Sequence, residues 1–123
     1  MTTTTRVSRS PERGDVFWVD LGPVSGSEQA GRRPVLVLSD AKLHSVSRRT
    51  LVCPITSNIS PWPTKILIPP GCVVSGTILV DQARMVDRGA RDFRYVGRLP
   101  DDITLLAREL LASFVGIDLP DAS

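Results

Sequence analysis

Histidine is nearly absent from this chain, which has one, His44, among 123 residues. Cysteine occurs twice, at Cys53 and Cys72, without C-x-x-C spacing, and the carboxylates form no cluster along the sequence. A zinc or two-metal site needs several such ligands in a compact set. No metal and no other cofactor is therefore expected, and any catalysis is expected to run on organic side chains. Both cysteines sit inside apolar runs and read as reduced core residues. No segment approaches the ~20 apolar residues of a membrane helix. The first residues, rich in Thr, Ser and Arg, lack the apolar stretch of a secretion signal. Residues 1–12 thus read as a disordered leader, 13–118 as one domain and 119–123 as a tail, in a cytoplasmic protein.

Lysine is scarce as well: of 15 basic residues only Lys42 and Lys65 are Lys, and the other 13 are Arg. Genomic base composition produces such a bias. So does a surface that grips phosphates, since a guanidinium binds them bidentately. The net charge of +2 does not separate the two. Position along the chain has to.

Strand-forming residues dominate the first two thirds. Gly14 to Leu21 alternates Val16 and Trp18 against Phe17 and Val19, as a strand does. Gly22 to Arg33 carries Gly22, Pro23, Gly26 and Gly31 with no period, and reads as a long loop of the kind that is often functional. Pro34 to Ser39 is a continuous apolar run, expected of a strand buried on both faces and beginning at Pro34. Leu51–Thr56, Lys65–Ile68 and Gly76–Val80 read as further strands, with a sixth around Met85–Val86 and an irregular loop at Ser57–Pro63. The period then changes. Ile103, Leu106, Ala107, Leu110, Leu111 and Phe114 form one stripe of an amphipathic helix, with Asp101 expected to cap its start and Gly116 to end it. Many short strands followed by one helix predict a mainly β, α+β domain: a small, strongly bent antiparallel barrel with a C-terminal helix packed on it.

Three polar clusters fall at strand ends. Arg32 and Arg33 stand where a glycine-containing loop enters a core strand, and either could clamp a phosphate; equally, Arg33 could pair with Glu28 or Asp20 on the surface. Thr56, Ser57 and Asn58 follow another core strand, where hydroxyls and amides often do no more than bond the turning backbone. Asp81, Gln82, Ala83 and Arg84 follow a third. His44 matches no such cluster and reads as an ordinary loop residue.

Four ordered segments carry a family resemblance: Arg13 to Leu21, Gly26 to Leu38 (with Glu28, Gln29, Arg32 and Arg33 in it), Pro54 to Ser57, and Asp81 to Arg84. Together they resemble the MazF/PemK family of toxin endoribonucleases, over nearly everything from Arg13 to Val115. The resemblance implies an SH3-like barrel of the MazF/CcdB-like toxin fold and a homodimer. It also implies metal-independent cleavage of single-stranded RNA, and a cognate MazE-like antitoxin whose disordered tail occupies the RNA groove. It assigns Arg33 and Thr56 as catalytic, places Glu28 and Gln29 on a mobile loop over the groove, and gives Arg32, Ser57, Asp81, Gln82 and Arg84 to substrate binding. The chain departs from the Kid branch of the family, which uses a first-loop histidine and an arginine two positions before the Asp of the Asp-Gln motif; Ser27 and Leu79 stand there.

Two other function classes compete. A non-enzymatic toxin of the CcdB kind, which binds DNA gyrase, shares the fold but has no use for the Arg33 and Thr56 pair. A plain RNA-binding barrel would carry stacking aromatics on a sheet face, whereas Phe17, Trp18, Trp62, Phe93, Tyr95 and Phe114 are dispersed.

Overall fold

Strand β1 (Asp15–Asp20) and strand β2 (Arg32–Val37) form the centre of the molecule and account for much of its core. The structure, a computed structural model, describes residues 10–22 and 31–118. After β2 come a short helix α1 (Ala41–His44), β3 (Arg49–Thr56), β4 (Lys65–Leu67) and β5 (Thr77–Leu79). A 3-10 turn (Val80–Gln82), β6 (Arg84–Asp87), β7 (Phe93–Arg98) and helix α2 (Asp101–Phe114) complete the chain. All strand pairs are antiparallel. The path runs β4-β5-β3-β2-β1-β7, with β6 paired to β3 beside it. The expected barrel is thus not closed by hydrogen bonds, because β4 and β7 remain the two ends of the path.

The continuous apolar run does lie between two hydrophobic layers. Alternate residues of β1, β2 and β3 go to opposite faces: Val16, Leu36, Leu38, Cys53 and Ile55 join one cluster, and Phe17, Val19, Val35, Val37 and Val52 the other. Helix α2 covers the first layer with Ile103, Ala107, Leu110 and Leu111. Phe93 and Tyr95 close the second, both ring-packed on Phe17. Cys53 and Cys72 are free thiols, and burial, reinforced by the charge of Asp81, pushes the Cys53 thiol up to about 12.

Strand β3 is long because it serves two partners on one edge. Its first half pairs with β6 as far as Val52, and its last residues, Ile55 and Thr56, pair with β5. Pro54, which cannot donate to a ladder, falls where the partner changes. Two boundary expectations are corrected. Strand β2 starts at Arg32 rather than Pro34, because Arg32 and Arg33 already pair with Asp20 and Val19 of β1. Helix α2 is opened by Pro100, whose carbonyl accepts the Ile103 and Thr104 N–H groups, so Asp101 lies in the first turn and is not the cap. The helix does end before Gly116, which takes a positive φ of 78°. Strand β7 and helix α1 are additions to the elements read from the sequence.

Candidate active site

The β2–β3 ladder pairs Val37 with Val52, Leu36 with Cys53 and Val35 with Pro54, and then stops. Carrying that register two positions further along each strand sets Arg33 opposite Thr56. Two residues singled out from separate segments therefore meet across the mouth of a parting strand pair. The space between is a cleft of about 540 Å³, lined by Trp18, Arg32, Arg33, Pro34, Ile55, Thr56, Ser57, Asn58, Val74 and Ser75. Among the described residues no carboxylate lines it, and two guanidinium groups do. A cleft with that balance of charge favours an anion.

Each polar side chain is held differently. Arg32 lies 3.8 Å from the Asp92 carboxylate, a loose and exposed pair. Arg33 has no ion-pair partner among the described residues. Asp20 directs a carboxylate oxygen to the Gly22 N–H at 2.8 Å, so its alternative role as a surface partner of Arg33 is not realised. The Thr56 hydroxyl oxygen accepts the Asn58 N–H at 3.2 Å, and Asn58 in turn accepts the Ser60 N–H at 2.9 Å. Backbone bonding of the turn is thus one real role of this segment. It also leaves the Thr56 hydroxyl proton free to be donated elsewhere.

Sequence reasoning overlooked Gly76. With φ of +120° it lies in backbone space that L side chains rarely adopt, and a Cβ there would sit 2.1 Å from the Thr56 carbonyl oxygen. Only glycine lets β5 come close enough to pair Thr77 with Thr56 and hold the end of β3 in place. The signal, Ser-Gly-Thr ahead of an apolar run, is indistinguishable in sequence from an ordinary turn.

Comparison with known proteins identifies the architecture. A family model described as a PemK-like, MazF-like toxin of type II toxin-antitoxin system matches residues 12–115. The chain belongs to this family. It is 32% identical over 101 residues to the endoribonuclease toxin MazF of Escherichia coli K12, covering 81% of this chain and 90% of that one. It is 37% identical over 105 residues to the endoribonuclease EndoA of Bacillus subtilis, covering 81% and 84%. The crystal structure of MazF from Deinococcus radiodurans (Form-I) superposes with a TM-score of 0.81 at 34% identity, over 89% of this chain and 100% of that one. A MazE-MazF structure (Form-II) from the same organism gives 0.78 at 30% identity, over 90% and 100%.

Within this PemK-like, MazF-like domain the expected site residues divide into three groups. Arg32, Arg33, Thr56 and Ser57 come together in the cleft. Asp81, Gln82 and Arg84 do not line it: Asp81 and Gln82 lie in the 3-10 turn, where Asp81 accepts the Thr64 hydroxyl at 3.0 Å, and Arg84 pairs with Val52 on the β6 edge. Glu28 and Gln29, with Ser27, fall outside the described residues. Leu79, where the Kid branch has arginine, is buried. His44 is no loop residue; it is buried in α1, with Nδ1 2.7 Å from the Pro11 carbonyl and Nε2 2.7 Å from the Ser39 hydroxyl. No helix among the described residues is long and apolar enough to cross a membrane.

Proposed function

We propose that the protein is the toxin of a type II toxin-antitoxin pair and acts as an endoribonuclease, cutting single-stranded mRNA in the Arg33–Thr56 cleft without a metal ion. The carrying observation is that Arg33 and Thr56 line one cleft where β2 and β3 part, and that among the described residues no carboxylate lines it with them. The naming of the Escherichia coli and Bacillus subtilis relatives as endoribonucleases supports the same reading over a gyrase-binding one.

The chemistry follows from those groups. When a ribose 2′-oxygen attacks its own phosphate, negative charge grows on the non-bridging oxygens. A guanidinium held against them binds the transition state better than the ground state. Thr56 holds its proton too tightly to be an efficient general acid near neutral pH. Its role is to donate a hydrogen bond that orients the phosphate. The 2′-hydroxyl is already tethered beside the phosphorus, so proximity supplies what a bound hydroxide would otherwise provide. Glu28 is the candidate acceptor for the 2′ proton; as the 2′-oxygen bonds to phosphorus the P–O5′ bond breaks, and the departing 5′-oxygen takes a proton from water. Arg32, Ser57 and Gln29 are assigned to holding the strand at the cleft, and Asp81, Gln82 and Arg84, which do not line it, to holding the strand further along.

We read the bent sheet as an SH3-like barrel left open between β4 and β7, and the working unit as a homodimer in the cytoplasm. Trp62, Leu67 and Phe114, all exposed, supply apolar surface for an isologous interface. The MazE-MazF structure of the Deinococcus radiodurans relative supports an antitoxin partner here too. An arginine-lined cleft attracts an acidic peptide as well as RNA, so the antitoxin tail and RNA compete.

Replacing the 2′-hydroxyl at the cut nucleotide by hydrogen tests the mechanism. Cleavage is abolished while binding persists, and unmodified RNA gives a 2′,3′-cyclic phosphate and a 5′-hydroxyl, with EDTA present. Cleavage of the deoxy-substituted strand, or 5′-phosphate ends, would make water the nucleophile.

A further inference from the structure

Strand β1 is buried almost throughout, with Val16, Phe17 and Val19 all at 0% exposure, yet Trp18 between them is 41% exposed. Alternation alone permits a solvent-facing side chain here, and a small polar one would serve the strand equally well. Trp18 belongs to neither core cluster, whereas Phe17, Phe93 and Tyr95 pack on one another inside the second. Its backbone neighbours across the sheet are Pro34 and Arg94. The ring comes to the wall of the Arg33–Thr56 cleft and is the one aromatic side chain lining it among the described residues.

The cleft has two chemical halves. Arginine and hydroxyl groups account for recognition of a phosphate, which has no use for an apolar surface. Trp18, Pro34, Ile55 and Val74 nonetheless form, with Asn58, the rest of the lining. A nucleobase has two apolar π-faces and is covalently tied to the phosphate by its ribose, so a strand whose phosphate sits at Arg33 brings a base to a neighbouring wall.

We propose that Trp18 is the stacking platform for one nucleobase of the bound RNA strand, seating the nucleotide beside the scissile phosphate. The proposal rests on the ribonuclease reading of the cleft and adds to it a residue that decides how the strand is placed. Stacking of this kind is tolerant of sequence, because every base has a π-face, and it contributes mainly to binding. Its loss therefore falls on KM and on affinity, while loss of Arg33 falls on kcat.

The test uses the full chain and a single-stranded RNA oligonucleotide spanning a mapped cut, with a 2′-deoxy nucleotide at the cut so that binding is read without cleavage. Trp62→Phe leaves Trp18 as the one tryptophan of the chain, and its fluorescence is quenched on RNA addition. Trp18→Leu, which keeps apolar bulk without a π-face, weakens binding about ten- to a hundred-fold. Trp18→Phe restores most of that loss. Scanning an abasic site along the oligonucleotide finds one position at which wild-type and Trp18→Leu proteins bind equally, an outcome that a merely structural role for Trp18 does not produce. Wild-type protein that cuts RNA while Trp18→Leu binds it with unchanged affinity, or no abasic position that removes the difference, overturns the stacking. Wild-type protein that neither binds nor cuts RNA overturns the ribonuclease reading itself, and the stacking with it.

Discussion

The two ends of the β1–β2–β3 unit are built on opposite principles. At the end away from the cleft, buried polar groups are matched inside the protein. Asp15 accepts from Arg98 at 2.8 Å and from the Glu12 N–H at 2.9 Å. The Thr50 hydroxyl takes the Arg88 guanidinium at 2.8 Å, and Ser39 ties His44 to the Leu51 N–H. At the cleft end the strands part, and the polar groups are held only loosely, Arg32 by Asp92 at 3.8 Å and the Thr56 hydroxyl by the Asn58 N–H at 3.2 Å. Arg33 has no ion-pair partner among the described residues. The buried Thr77 hydroxyl, paired in register with Thr56, has no hydrogen-bond partner among them either. Satisfied groups stabilise; of the two unsatisfied ones Arg33 lines the cleft, where a ligand can complete it, while Thr77 is buried behind it.

Breaking the matched end has the largest expected effect on folding. Asp15→Ala removes a fully buried carboxylate and the shortest of the ion pairs of Arg98, which keeps Glu12 at 3.5 Å and Asp101 at 3.7 Å. The expected cost is about 3 kcal/mol, the low end for breaking a buried pair because Arg98 is partly exposed and keeps two other carboxylates. Urea unfolding reads this loss, and the cleavage rate of the folded fraction stays near that of the wild type. Equal loss of rate would mean that the two ends are coupled.

Gly76→Ala sharpens the comparison from the cleft side. The new Cβ meets the Thr56 carbonyl, so stability falls by about 2 kcal/mol. Displacement of Thr56 lowers kcat by up to about 10²-fold. In a Thr56→Ala background the same substitution has little further effect on kcat. An undiminished effect there would show that Gly76 does not act through Thr56.

The smallest effect concerns pH. Burial lowers the His44 pKa; the Pro11 carbonyl opposes this, and the charge of Arg88 adds to it. Asp40 and Asp15 oppose it more weakly. The folded state thus prefers neutral imidazole, and the stabilisation is complete above the ordinary histidine value and lost as pH falls through the lowered one. Thermal midpoints measured between about pH 7 and 5 should decline, and His44→Gln should flatten that decline. An identical slope in the variant would assign it to the carboxylates.

Much of the fold was legible from the sequence where periodicity is long and local. The run Val35 to Leu38 announced burial on both faces, and the α2 stripe announced a helix. Strand β7 was not legible because the irregular register against β1, between Val16 and Phe17, breaks the alternation of Phe93, Tyr95 and Val96. Helix α1 spans four residues, too few to show a period. In the site, Arg33 and Thr56 stood out as residue types at strand ends, but their opposition depends on a register that one strand cannot reveal. Gly76 and Trp18 were hidden for a related reason. What matters about Gly76 is a carbonyl on another strand, and what matters about Trp18 is an exposure that its strand-forming character conceals.

One paired measurement on Arg33→Ala tests the account most directly: single-turnover cleavage of RNA, and thermal unfolding of the same preparation. If Arg33 is held ready for a phosphate and contributes nothing to packing, the rate falls by about 10²–10³-fold, as for removal of one oxyanion donor. The unfolding midpoint stays within the small range of a surface substitution, about ±0.5 kcal/mol in stability. A rate close to that of the wild type, or a loss of activity matched by a loss of folding, contradicts the assignment of the cleft end as the site of chemistry.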